Sequence, residues 1–309
     1  MSFITNIRSV AKYESKILVR SWFFRIFTLL AVVFLGFFNF AMMLMEDNFG
    51  LWFVKAVSSN IPYLNLLLLN TGQAVVAVFL SSEFLKRDKK LDTSEVFYVR
   101  PLSNAEYVVG KIWGNLRVFL LLNLLVLTIV LAFNFMASGI AVDLPAYGVY
   151  FLLISIPTLV FIIGLSIFLM LVLRHQALTF ILLLGYIGLT LFYIQDKFYY
   201  LFDYMVYNLP LFKSTIVGFS SLELILNHRA IYFFAGLGFI FFTIFLFKRL
   251  PNARRSHYPW LFLSLCMFLL AGTAGFRHVR SILREGEMRA LYTSINNKYV
   301  HEPKMAIDR

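Results

Sequence analysis

Glu83-Phe-Leu-Lys-Arg-Asp-Lys-Lys-Leu-Asp-Thr-Ser-Glu-Val-Phe-Tyr-Val-Arg-Pro-Leu-Ser-Asn-Ala-Glu-Tyr-Val-Val-Gly-Lys111 is the longest charged interval in an otherwise oily chain. Ten of its residues ahead of Lys111 are Lys, Arg, Asp or Glu, which puts the interval in water. Apolar runs of membrane-spanning length flank it on both sides. Its second half reads as a turn followed by a helix. Pro101 pushes Arg100 out of the helical region. Ser103 then offers a side-chain oxygen as N-cap, with Glu106 three residues on in the capping-box position. The interval is therefore a polar hairpin held between two membrane helices.

Composition widens that reading to the whole chain. Of 309 residues, 60% are hydrophobic, 18% aromatic and only 14% charged, where soluble domains carry about 25% charged residues. An integral membrane protein is expected. The net charge of +12 would suggest nucleic acid in a soluble protein, but a basic face with base-reading side chains is not seen. Lys and Arg stand beside the apolar runs instead, as the positive-inside rule requires. The single Cys266 lies in an apolar run, so no disulfide framework or thiol metal site is expected. Four basic residues precede the first apolar run and no short-residue cleavage site follows it, so no removable signal is expected.

Residues 3–21 form the first element. Arg8, Lys12, Lys16 and Arg20 recur every four residues and share one helical stripe, with Phe3, Ile7, Val10, Ile17 and Leu18 on the other side. This predicts an amphipathic helix in the membrane interface. Glu14 falls in the middle of the apolar face. It either reaches water from a frayed helix or pairs with a basic residue of a span, since carboxylates in apolar surroundings are rarely left unpaired. Arg25, Arg117 and Arg174 are the candidates. Arg117 is the expected partner, because it alone is set a turn or more inside its span and its fork bonds a carboxylate twice.

Spans are expected at Trp22–Met45, Ile61–Ser82, Ile112–Met136, Tyr147–Leu173, Ala177–Ile194, Ile231–Phe247 and Trp260–Phe276, each about 17 residues or longer. Loop charge alternates through the first six. The N-terminus, the Glu83–Lys111 loop, Arg174-His175 and the Lys248–Arg255 turn are basic, which places them in the cytoplasm. The reading divides into an elbow helix over 1–21, a six-span core over 22–249, a seventh span over 250–276 and a polar tail over 277–309. If the seventh segment crosses, the Arg-rich tail lies outside. The segment Gln195–Arg229 is crowded with Phe198, Tyr199, Tyr200, Phe202, Tyr204 and Tyr207, residues that settle at headgroup level.

The hairpin, flanked as it is, resembles the loop after the second span in permease subunits of ATP-binding-cassette transporters of the type-2, exporter-like family. In that family the loop opens on Glu and basic residues, passes a Pro–polar pair and closes on Gly-Lys. Glu83, Arg87, Pro101, Ser103, Gly110 and Lys111 fill those places here. Leu91-Asp92-Thr93-Ser94-Glu95 stands where the family carries Gly-Thr and a nearby acidic residue. The resemblance implies an elbow helix and six core spans, an all-α polytopic membrane protein. It also implies that the hairpin contacts a separate cytoplasmic ATPase, which would hold ATP and Mg, and that a second permease copy or homologous half completes the pathway. The Tyr-rich segment resembles the short re-entrant helices that such permeases place on the outer side. Location in the inner (cytoplasmic) membrane with a cytoplasmic N-terminus follows. Some relatives continue into an aminopeptidase domain, so this chain could be the membrane part of a longer fusion.

No catalytic site is expected. Ala105 replaces the first Gly of a phosphate-binding loop before Gly110-Lys111, and Ile112 replaces its Ser or Thr. No His-Glu-x-x-His occurs, and none of the five histidines is spaced for a shared metal. Ser155, Ser166 and Ser264 read as helix-packing residues. Asn65, Asn70 and Gln73 are polar at membrane depth, either as packing glue or as the lining of a substrate path. A non-transporting membrane scaffold or assembly factor is the alternative to the exporter. An intramembrane hydrolase is disfavoured by the missing motif.

Overall fold

The computed structural model of the chain describes residues 3–44, 57–82, 102–136, 142–194, 197–209, 211, 213–214, 218–219, 221–247 and 258–300. All seven expected apolar segments are helical. In order, α1 (Phe3–Arg20), α2 (Trp22–Leu44), α3 (Asn60–Ser82) and α4 (Asn104–Met136) precede α5 (Leu144–Leu173). They are followed by α6 (Gln176–Phe192), α7 (Leu222–Leu246) and α8 (Tyr258–Tyr299). Among the described residues six helices, α2 to α5, α7 and α8, are long and apolar enough to cross a membrane; α6 has 17 residues. At 1.5 Å per residue α6 is about 25 Å long, against a hydrocarbon core of about 30 Å. The chain is an all-α, multi-pass membrane protein.

Local chemistry sets the helix ends. Asp143 caps α5 by accepting from the Ala146 N–H at 3.2 Å. Arg174 closes α5 in the left-handed conformation (φ 54°), and the His175 Nδ1 accepts from the Leu178 N–H to open α6. Two residues thus separate α5 from α6. Within α5 a π-helical turn covers Phe151–Ser155. Its cause lies two residues on: Pro157 has no N–H, so the Leu153 carbonyl loses its helical donor.

Small residues let the spans approach. α5 and α7 meet at Gly164 and Gly236, where a Cβ on Gly236 would lie 2.7 Å from the Val160 carbonyl oxygen. α8 runs antiparallel to α7. Trp260 stands beside Phe241, the Ser264 Oγ donates to the Gly238 carbonyl at 2.9 Å, and the Ser221 Oγ meets the Glu285 Oε1 at 2.8 Å. The seventh segment therefore follows α7 from end to end. It does not stop at Phe276: the helix continues without a break through the expected tail, and residues 286–300 are all exposed.

The Tyr-rich segment departs from expectation. Among its described residues there is no re-entrant helix. A short turn at Phe198–Tyr200 and a two-residue antiparallel ladder, β1 (Lys213–Ser214) with β2 (Gly218–Phe219), cover the ends of α3, α5 and α7. Tyr150 of α5 donates to the Leu211 carbonyl at 2.8 Å, and the Ser59 Oγ donates to Lys213 at 2.8 Å. The Lys213 Nζ reaches the Asp143 carboxylate at 2.6 Å.

Candidate functional site

One site, called inner only for the end of the helix bundle that carries the N-terminus, is where α1 lies on the first turns of α4. Arg8, Lys12, Lys16 and Arg20 are exposed, as the stripe predicts, and Ala11, Glu14, Ser15 and Leu18 are buried. Asn6 stands opposite Glu106 and Ser15 opposite Arg117, so the two helices run in the same direction. Gly110 and Gly114, one turn apart, let them touch. A Cβ on Gly110 would fall 2.7 Å from the Val10 Cβ, and one on Gly114 would fall 2.7 Å from the Glu14 Cβ and 2.9 Å from the Ala11 carbonyl oxygen. The Ser15 Oγ donates to the Gly114 carbonyl at 2.7 Å across this seam.

Glu14 is buried and paired, but not with Arg117. Its Oε1 lies 2.9 Å from the Lys111 Nζ, with the two side chains 4% and 1% exposed. The ammonium also sits 5.1 Å from the centre of the Tyr107 ring. The expected partner Arg117 turns to the Ser15 Oγ at 2.5 Å and the Ala11 carbonyl at 3.1 Å. Register explains the correction. Because α1 and α4 run alongside each other, Glu14 stands level with Lys111 and Gly114, and Arg117 lies a turn further on.

The capping box forms. The Ser103 N–H donates to the Glu106 Oε2 at 2.6 Å, and the Glu106 N–H donates to the Ser103 Oγ at 3.2 Å. Asn6 of α1 adds a bond to the Glu106 Oε1 at 2.9 Å. The Asn104 amide donates to the Phe247 carbonyl at 2.7 Å, and Tyr107 stacks on Phe247, which ties this helix start to the end of α7. Ser103, Gly110 and Lys111 thus share one short stretch of chain. Glu83, Arg87 and Pro101 lie outside the described residues.

Asn65, Asn70 and Gln73 are buried but do not form one site. Asn65 exchanges amide hydrogen bonds with Asn39 of α2 at 2.7 and 3.0 Å. Asn70 and Gln73 join Asn123 of α4 and Ser155 of α5. The Gln73 Nε2 donates to the Asn70 Oδ1 at 2.5 Å, the Asn123 Nδ2 to the Gln73 Oε1 at 2.8 Å and the Ser155 Oγ to the Asn123 Oδ1 at 2.7 Å. Such a mutually satisfied cluster binds three helices together at membrane depth. Ser166 and Ser264 also bond across helices, to the Val78 and Gly238 carbonyls.

A second assembly, called outer for lying at the opposite end of the bundle, was not visible in the sequence. Arg229 of α7 is 2% exposed and spends its donors on carbonyls and one hydroxyl. Its Nε reaches Leu153 at 2.6 Å, the carbonyl that Pro157 leaves without a donor. Its Nη1 reaches the Tyr204 carbonyl at 3.0 Å, and its Nη2 reaches the Thr158 Oγ1 at 2.8 Å. Burial holds the nearby Asp203 carboxyl above the usual carboxylate range, against the pull of the Asn208 and Tyr207 N–H groups and the Arg229 charge. Beside it Phe198, Tyr199 and Tyr200 all have left-handed φ, at 53°, 58° and 62°. Three successive carbonyls of that turn accept from the spans. His278 bonds Tyr199 at 2.9 Å, His228 bonds Tyr200 at 3.0 Å, and the Tyr232 hydroxyl bonds Leu201.

The two histidines are fifty residues apart, and their rings come within 5.0 Å. Since a carbonyl only accepts, each Nε2 carries the proton. No group of three or more His, Cys, Asp or Glu side chains placed to hold a metal occurs among the described residues. No family model matches the chain, and no curated protein matches it.

Proposed function

We propose that this chain is the membrane-spanning permease subunit of an ATP-driven exporter, working with a separate cytoplasmic ATPase and a second permease copy or homologous half. The observation that supports this reading is the bonding of the charged hairpin's exit to the elbow. Ser103, Glu106, Gly110 and Lys111 are fixed on α1 through Asn6, Val10 and Glu14. A push on the hairpin would then move α1 and α4 together. Coupling to a nucleotide-driven partner needs such a unit, because a loose connector would absorb the motion.

On this reading the basic loops face the cytoplasm of a cell with an inner membrane, and the bilayer is the other constant partner. ATP and Mg belong to the partner ATPase. Co-purification from the native membrane, followed by an ATPase assay, tests the proposal. An associated ATPase should be recovered, and Pro101→Ala with Ser103→Ala should lower its activity while membrane insertion persists. Full activity in the double variant reduces the hairpin to a connector, and the absence of any ATPase favours a membrane scaffold. Single cysteines in a Cys266→Ala background should label at 90 and 252 from the cytoplasm only, and at 50, 143 and 290 from outside only.

A further inference from the structure

The face of α1 turned away from α4 has no apolar residue in its central row. Arg8, Lys12, Lys16 and Arg20 step along it at four-residue intervals, all exposed. The close approach of Val10, Ala11 and Glu14 to Gly110 and Gly114, with the Glu14–Lys111 pair, holds the opposite face of α1 against α4 and leaves the stripe outermost. Only Ser21 separates Arg20 from α2. Trp22, which opens that span, is itself exposed, and an exposed Trp at the head of a span sits among lipid headgroups. Connectivity therefore sets the end of α1 at the membrane surface, with Arg20 and Lys16 nearest.

We infer that this stripe binds the phosphate groups of anionic phospholipids in the adjoining leaflet. Charge complementarity selects the partner: four cations and no carboxylate occupy the row, and clusters of this size beside a span attract acidic lipid. Exposed Tyr13 and Val19, beside the stripe toward its membrane end, supply apolar contact with the headgroup region. The inference is independent of transport and would hold equally for a scaffold.

The test uses the whole chain, purified in a neutral detergent and titrated with phosphatidylglycerol or phosphatidylcholine while thermal unfolding is followed. Phosphatidylglycerol should raise the midpoint and phosphatidylcholine should not. In Lys16→Gln/Arg20→Gln, and more so with Arg8→Gln and Lys12→Gln added, the lipid concentration giving half the shift should rise about tenfold or more. A control with Arg280, Arg284, Arg289 and Lys298 of α8 changed to Gln should respond as the native chain does. If a variant does not fold, the native chain still decides: its response must fall in molar salt, where the screening length drops to about 3 Å. An unaltered response in the stripe variants, an equal loss in the α8 control, or a salt-independent shift overturns the inference. So does an intact lipid response together with loss of a co-purifying acidic protein, which would make the stripe a protein-binding surface.

Discussion

At the end of the bundle that carries the N-terminus α1 reaches α4 because side chains are missing; at the opposite end the turn at Phe198–Tyr200 is held because side chains reach in. Gly110 and Gly114 expose bare backbone to a neighbouring helix, and the contact is completed by side chains with side chains, Glu14 with Lys111 and Asn6 with Glu106. At the opposite end, bulky aromatics occupy backbone conformations that favour glycine, and His278, His228, Tyr232 and Arg229 bond to carbonyl oxygens. The inner contact is close and relaxed, the outer one strained and over-bonded. Strained backbone persists only when its surroundings determine it several times over.

The contrast predicts that the outer assembly is the more sensitive to loss of one donor. Arg229→Leu orphans the Leu153 carbonyl and strips the guanidinium bonds from the Tyr204 carbonyl and the Thr158 hydroxyl, which keep only the bond between themselves, at about 1–3 kcal/mol for each bond lost. The variant should lose most of its folded yield after solubilisation, measured by size-exclusion chromatography and thermal unfolding. Arg229→Lys should recover part of it, since one ammonium reaches fewer acceptors. A change in Arg229→Leu below about 1 kcal/mol would deny the assembly its structural role.

Next comes the inner ion pair. Glu14→Gln leaves the Lys111 ammonium buried against a neutral amide and should cost about 3–5 kcal/mol. With Lys111→Met added, the double variant should be less damaged than the sum of the two singles. Glu14→Gln combined with Arg117→Gln should come closer to additivity, because Arg117 bonds Ser15 and Ala11. The reverse pattern of couplings would restore Arg117 as the partner. Gly114→Ala belongs one step lower, at about 1–3 kcal/mol for the overpacking of Glu14 and Ala11. Its mark would be cysteine labelling at residue 11, blocked in the native chain and open in the variant.

The two regions also differ in how far the sequence revealed them. The elbow helix, its basic stripe, the buried Glu14 and the Ser103–Glu106 capping box are periodicities or short spacings, and each is formed as read. The partner of Glu14 is Lys111 and not the expected Arg117, because register between two helices depends on their direction and closeness. The Gly110-x-x-x-Gly114 spacing is the sequence feature that sets both. The outer assembly carried no such signal. Its donors come from α7 and α8, all but one of its acceptors are backbone atoms, and a carbonyl freed by Pro157 is filled from seventy-six residues away. Only the crowding of aromatics marked the place.

The smallest effect carries the sharpest test, because its sign is opposite at the two sites. Adding a methyl group at Gly114 should destabilise; removing a side chain at Tyr199 should not. Tyr199 has φ 58° and is about half exposed, and what holds it is the bond from His278 to its carbonyl, which glycine would keep. A left-handed L-residue costs about 1–2 kcal/mol. Glycine removes that cost but gives back about 0.5–1 kcal/mol through the greater freedom of the unfolded chain. Tyr199→Gly should therefore be neutral or stabilising by about 0.5 kcal/mol, and Tyr199→Asn should behave alike, since Asn tolerates the left-handed region at less entropic cost. His278→Ala would remove the donor and should reverse the gain, because the same carbonyl is then left unsatisfied. Thermal midpoints of the three variants in one detergent decide the matter. A clear loss of stability in Tyr199→Gly would mean that the ring itself anchors the turn, and the comparison of a relaxed inner contact with a strained outer one would fail.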